Sequence, residues 1–269
     1  MRKLEALLLA ALLAALPSLA QADGAGSALG VKQQAAAQLA GETRTLRVGS
    51  DIFIGDLVQT GARGQVQILF ADNTELVLGP SSALTIEDYL IRNDGSAGKL
   101  AVDILSGAFR FATGDSAKNR YTISTPTGTI GVRGTEFDGW IGRNDTTYII
   151  RHGGTVVICN KAQKCDLLDD VCEVGKITSA GATSIGDSRD SRGEQRAQFK
   201  RWFLYTENQA PLLSRFWFRN ARDCLNATPV VPERPDDEDD DIVNVKPPPD
   251  KPKPPPLPVC VPTRTNPCN

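Results

Sequence analysis

The stretch Thr125-Pro126-Thr127-Gly128-Thr129-Ile130-Gly131-Val132-Arg133-Gly134-Thr135-Glu136-Phe137-Asp138-Gly139-Trp140 decides how this chain is read. Glycines recur among β-branched residues, and nothing in the run favours a helix. It reads as strands bent sharply at glycines, with one cation, Arg133, held where the backbone comes close. A buried guanidinium needs several acceptors, so its place beside Gly134 is read as an internal brace rather than a ligand group.

Outward from this stretch the same texture continues in both directions. Leu46 and Val48, Ile52 and Ile54, Val66, Ile68 and Phe70, Leu76 and Leu78, and Leu84 and Ile86 fall two apart, the period of half-buried strands. Asp72-Asn73 tolerate positive φ, which joins Val66–Phe70 to Glu75–Leu78 as a hairpin. Leu100, Val102 and Ile104 alternate, as do Ala108 to Ala112, Tyr121 to Ser124, Thr146 to Ile150 and Thr155 to Ile158. The expected fold is all-β, an irregular rolled sheet, sandwich or solenoid-like domain, followed by a short C-terminal helical segment and a disordered Pro-rich tail. No repeat of fixed period marks a regular solenoid.

The ends divide from this core by composition. Arg2 and Lys3, an apolar run from Leu7 to Leu16, Pro17 and the site Ala20-Gln21-Ala22 form the pattern of a cleavable signal peptide over residues 1–22. That run is shorter than the roughly 20 residues of a membrane span, and no later stretch approaches this length. Residues 23–44 read as a lead-in, with a short helix from Val31 to Leu39. Residues 45–190 form the β domain and 191–225 the helical segment. In that segment helices are expected from Gly193 to Tyr205 and from Pro211 to Cys224, with Pro211 at a first helical position. Its aromatics, Phe199, Trp202, Phe203, Phe216, Trp217 and Phe218, read as a face packed on the sheet. Residues 226–269 are rich in proline and acid, and such a tail cannot bury enough apolar surface to order itself.

Chemistry is sparse. Six cysteines, Cys159, Cys165, Cys172, Cys224, Cys260 and Cys268, in a chain with an export signal read as disulfides whose pairing the sequence leaves open, although Cys260 and Cys268 suit a small loop of their own. One histidine and no Cys-x-x-Cys argue against a metal site, and no cofactor is expected. His152, beside Gly153-Gly154, reads as a turn residue. No Gly-x-Ser-x-Gly elbow accompanies it, and Gly128-x-x-Gly131-x-x-Gly134 lacks the lysine and helix of a phosphate loop. Glu136 and Asp138 read as solvated strand carboxylates rather than a glycosidase pair. Asp236 to Asp241 lack the glycine spacing of a calcium loop. A formal charge of −2 gives no general attraction to nucleic acid or anionic lipid.

Thr125-Pro126, Gly128 and Val132-Arg133-Gly134-Thr135-x-Phe137 resemble the signature of the FecR domain, found in bacterial envelope sensors. Gly55-Asp56-Leu57-Val58-x-Thr60, Val66-x-Ile68-x-Phe70-x-Asp72-Asn73-Thr74-x-Leu76, Ile104-Leu105-x-Gly107 and Gly153-Gly154-Thr155-Val156-x-Ile158 extend the resemblance over about residues 45–185. The resemblance implies a non-enzymatic module of the periplasm or cell surface that signals by contact with another envelope protein. The alternative is a polysaccharide or cell-wall binding protein in which Trp140 and Tyr148 stack on sugars.

Overall fold

The computed structural model describes residues 24–91, 97–115, 120–142 and 144–225. Fifteen strands form one large sheet that is open rather than closed. In chain order they are β1 (Gly24–Lys32), β2 (Ala35–Leu39), β3 (Glu42–Thr45), β4 (Asp51–Phe53), β5 (Leu57–Thr60), β6 (Gln65–Phe70), β7 (Glu75–Leu78) and β8 (Ala83–Ile91). They continue as β9 (Ala97–Ala112), β10 (Tyr121–Thr125), β11 (Gly128–Ile141), β12 (Thr147–Asn160), β13 (Cys165–Leu168), β14 (Glu173–Ile177) and β15 (Ala182–Asp187).

Three long strands change partners along their length, and this rolls the sheet. The first half of β9 lies between β8 and, in parallel, β10; beyond Gly107, at φ +88, its second half lies between β7 and β11. The alternating sets at 100–104 and 108–112 are thus one continuous strand. In the same way β11 passes from β10 to β9, and β12 from β14 to β13, each keeping the other as neighbour. The inward faces close on one apolar core that includes Ile68, Phe70, Leu76, Leu78, Phe109, Phe111 and Phe137.

The hairpin read at Asp72-Asn73 is present as the β6–β7 pair, with Asn73 at φ +63. The helix expected at 31–39 is not. That segment is the end of β1 and all of β2, because its small residues alternate: Ala35 and Ala37 are buried, and β1 and β2 pair with β6 and β5. The sheet therefore takes in the residues read as a lead-in.

After β15 come α1 (Gly193–Trp202), α2 (Leu204–Glu207) and α3 (Ala221–Cys224), with a 3-10 turn at Ser214–Phe216. The helix expected over 211–224 forms only at its end, as α3, and an irregular, partly extended run precedes it. Phe216 and Phe218 are buried while Trp217 between them is half-exposed and extended at φ −89, ψ 132. Burying both phenylalanines on one side demands a period of two, and each contributes about 1.5–3 kcal/mol. Gln209 fixes this geometry: its side chain accepts from the Phe218 N–H (2.7 Å) and donates to the Phe218 carbonyl (3.0 Å). Most of the aromatics read as a packed face do pack: Phe199, Phe203, Phe216 and Phe218 are buried, and Tyr205 joins them.

Among the described residues, no helix is long and apolar enough to cross a membrane. The signal-peptide, tail, Asp236–Asp241, Cys260 and Cys268 expectations lie outside the described residues.

Candidate functional site

Strand register places one residue from each of six strands in a line: Gln67, Val77, Arg110, Asp138, Ile150 and Val174 are successive direct partners across β6, β7, β9, β11, β12 and β14. Alternation turns this row away from Phe109, Phe111 and Phe137, so by itself it would face water. All six are nevertheless buried. The segment from α1 to α3 lies over them as a second layer, and the polar members are there to meet it.

Arg110, 1 % exposed, is the centre of that contact. Its Nε and Nη2 donate to Asp138 Oδ1 (2.6 Å) and Oδ2 (2.9 Å), and its Nη1 donates to Gln209 Oε1 and to the Phe216 carbonyl (3.0 Å). The guanidinium also lies 4.1 Å from the Phe218 ring centroid. A bidentate fork with four of its five N–H donors engaged is an arrangement in which a buried charge is tolerable. Burial by itself would raise the Asp138 carboxyl, but the charge and hydrogen bonds of Arg110 outweigh it and hold this acid well below the usual carboxylate range.

His152 joins the same cluster and corrects its reading as a turn residue. It sits inside β12, fully buried, because the irregularity follows it: Gly154 has φ +69, and a Cβ there would fall 1.9 Å from the Gly134 carbonyl oxygen. The two glycines open a bulge between β11 and β12 and leave the histidine in the strand. Thr206 of α2 donates to Asp138 Oδ2 (2.6 Å) and lies 3.0 Å from His152 Nε2, which is itself 3.4 Å from Asp138 Oδ2. The threonine hydroxyl has one proton and gives it to the carboxylate, so Nε2 carries the imidazole proton and donates to the threonine. Burial pushes the histidine below its ordinary value, against the pull of Asp138.

A Thr-His-Asp set invites comparison with a nucleophilic triad, and its geometry lacks the relay. A triad places nucleophile and carboxylate on opposite ring nitrogens. Here both stand at Nε2, and Nδ1 faces the Cys224 sulfur at 3.6 Å. The cluster is a clamp between sheet and C-terminal segment. Arg215 to Glu75 (3.0 Å), Leu213 N–H to Gln67 Oε1 (2.8 Å) and Asn220 Nδ2 to the His152 carbonyl (3.0 Å) extend it.

Disulfides complete the attachment. Cys172 pairs with Cys224, joining the turn before β14 to α3, and Cys159 pairs with Cys165 across β12 and β13. Elsewhere, Asp169, Asp170 and Glu173 gather at the surface, but Glu173 Oε2 already accepts from the two aspartate amides (3.0 and 3.2 Å).

The signature residues are distributed rather than gathered. Thr125 closes the β10–β11 turn through Gly128 N–H and C=O, both at 3.2 Å from its hydroxyl. Pro126 lies in that turn. Val132 and Phe137 enter the core, Thr135 is buried, and Gly134 takes φ +63 at the bulge. Arg133 does not brace the fold. Its side chain is exposed and makes no hydrogen bond or ion pair among the described residues, because alternation sends it opposite to Val132. The buried guanidinium is Arg110. Its sequence signal is faint: an arginine between two core phenylalanines, in register with an aspartate after a third.

Arg133 instead faces solvent in company. Gly131, Val157 and Leu167 are direct partners across β11, β12 and β13, and Arg133 is two residues along β11 on the same side. Val157 is 36 % and Leu167 46 % exposed.

Residues 56–156, from the turn before β5 into the middle of β12, match the family model described as FecR protein. This stretch is a FecR domain. Its matched part is shorter than the resemblance at 45–185, and it holds Arg110, Asp138, His152 and Arg133 but not the segment that clamps onto them. No curated protein matches the chain. Among solved structures, a cell surface anchoring domain is 34 % identical over 23 % of this chain and 82 % of its own, with a TM-score of 0.22. Two structures described as a candidate anti-sigma factor from Parabacteroides distasonis are 12 % and 11 % identical. They cover 49 % and 55 % of this chain and 59 % and 74 % of their own, both with a TM-score of 0.40. These values are too low to carry an argument about shared fold or function.

Proposed function

We propose that this FecR domain serves an exported, non-enzymatic module of the bacterial envelope, which signals by binding another envelope protein through the face that carries Arg133, Val157 and Leu167. The observation that carries this reading is the exposure of Arg133 on the signature strand, its side chain without a partner among the described residues, beside two apolar side chains in register. An arginine with free donors next to exposed aliphatic groups is the composition of an interface centre rather than of ordinary solvated sheet. Two disulfides and the signal-like N-terminus support an oxidising, exported setting. The buried Thr206–His152–Asp138 set supports a structural rather than a chemical role for the polar residues of the second layer.

The test is affinity capture from envelope extract with the oxidised protein and with Arg133→Glu. The proposal expects one specific partner, recovered by the parent and lost by the variant at unchanged melting temperature. Recovery of no partner, or equal recovery by both proteins, overturns it.

A further inference from the structure

At the turn end of the sheet lies a cleft region of two neighbouring cavities, of about 390 and 500 Å³, that share Asn144 and Thr146 as lining. The first is lined by Trp140, Gly142, Tyr148 and Trp202 besides the shared pair, and the second adds Thr127, Lys161 and Ser179 among others. Trp140 and Tyr148 are direct partners across β11 and β12, and Trp202, the last residue of α1, stacks on both at 5.0 and 4.2 Å between ring centroids. Gly142 lets the indole of Trp140 lie over the backbone, since a Cβ there would fall 2.4 Å from its Cη2. All three aromatic residues are only partly buried, whereas Phe199 of α1, Phe203 between α1 and α2, and Tyr205 of α2 are buried.

The polar lining is uncommitted. Among the described residues, the side chains of Asn144, Thr146, Lys161 and Ser179 have no hydrogen-bond partner, while Thr127 ties the floor by donating to the Asp145 carbonyl (2.9 Å). Among the described residues the second cavity carries one cation, Lys161, and one carboxylate, Asp145, and Lys176 lies 5.8 Å from the Tyr148 ring centroid. An aromatic wall at one end, continued by amide, hydroxyl and ammonium groups, suits a molecule with an apolar face and a hydroxyl rim. A sugar ring has both, and two adjoining lobes have room for more than one ring.

We infer that this cleft binds a neutral polysaccharide strand, one sugar stacking on the Trp140–Tyr148–Trp202 cluster and the next hydrogen-bonding to Asn144, Thr146 and Ser179. The inference goes beyond the protein-binding face and is independent of it. A glycan contact at the turn end would hold the module against a wall or surface layer and leave Arg133 free.

The oxidised full-length protein is titrated, with intrinsic tryptophan fluorescence as readout, against a panel of α- and β-linked neutral tetra- to hexasaccharides and sedimented with purified peptidoglycan. Binding to at least one of these probes is expected, weakened about tenfold or more in Asn144→Ala, whose exposed site does not support the fold, and in Trp140→Ala. Arg133→Glu retains it, which separates this inference from the proposed partner face. Binding to none of the probes, or binding that Asn144→Ala and Trp140→Ala leave unchanged, overturns it. So does capture by this cleft of a protein in place of a glycan.

Discussion

Arg110 and Asp138 face each other in register across β9 and β11, joined by two hydrogen bonds of 2.6 and 2.9 Å, on the side of the sheet opposite its core. This pair makes the C-terminal segment part of the fold, since it is a buried charge pair only because Gln209, Phe216 and Phe218 cover it.

Asp138→Ala leaves a buried guanidinium without its counter-ion and should lower stability by about 3–5 kcal/mol. Adding Arg110→Leu should recover much of that loss, because removing both charges removes the desolvation cost as well. Urea unfolding of the two single variants and the double variant measures the coupling.

Stability should depend on pH through His152. Burial holds its folded-state value below the ordinary 6.5, so between those two values the unfolded chain binds more protons than the folded one. Its contribution is complete above about pH 6.5 and is lost as pH falls through the folded-state value. Arg110, Arg151 and Asp138 all act on the imidazole, and Asp138 keeps its charge until well below the usual carboxylate range. Urea midpoints at pH 7.5, 6.5 and 5.5 should fall across the last interval, and His152→Gln should flatten that fall.

Opening Cys172–Cys224, which closes a separation of 52 residues, should cost about 4 kcal/mol, against about 2 kcal/mol for Cys159–Cys165 with a separation of 6. Paired serine variants, compared by thermal unfolding, give the order. A negligible loss on opening Cys172–Cys224 would show that the C-terminal layer is held without its covalent tie.

Arg133→Ala should change stability by less than about 0.5 kcal/mol, as expected for an exposed side chain with no partner among the described residues. Thermal unfolding beside Asp138→Ala makes the contrast between the two arginine environments.

Much of the sheet was legible because alternation is local. Val66–Phe70 and Glu75–Leu78 show their period and their turn within a dozen residues, and the β6–β7 hairpin follows. The second layer was less legible because its determinants are distant. Nothing adjacent to Arg110 tells that residues 206–218 will cover it, and an arginine between Phe109 and Phe111 reads as outward and solvated. Arg133, among glycines in a recognisable motif, drew the role that Arg110 performs. Alternation at Val132 was the local signal for its outward face. The helix expected at 211–224 forms only at its end for a related reason: Phe216 and Phe218 take a strand-like period only because Gln209 and the sheet are there to receive them. At the aromatic cleft, the sequence pointed to Trp140 and Tyr148 but not to Trp202, 54 positions beyond Tyr148, as the ring that stacks on both.

Site-specific photo-crosslinking in the envelope tests the central claim most directly, with the crosslinker placed at Val157 on the proposed face and at Leu213, a somewhat more exposed position on the C-terminal layer. The account predicts a discrete adduct with one envelope protein from position 157, absent from 213 and abolished by Arg133→Glu. The same adduct from both positions, or one from 157 that survives Arg133→Glu, would contradict it.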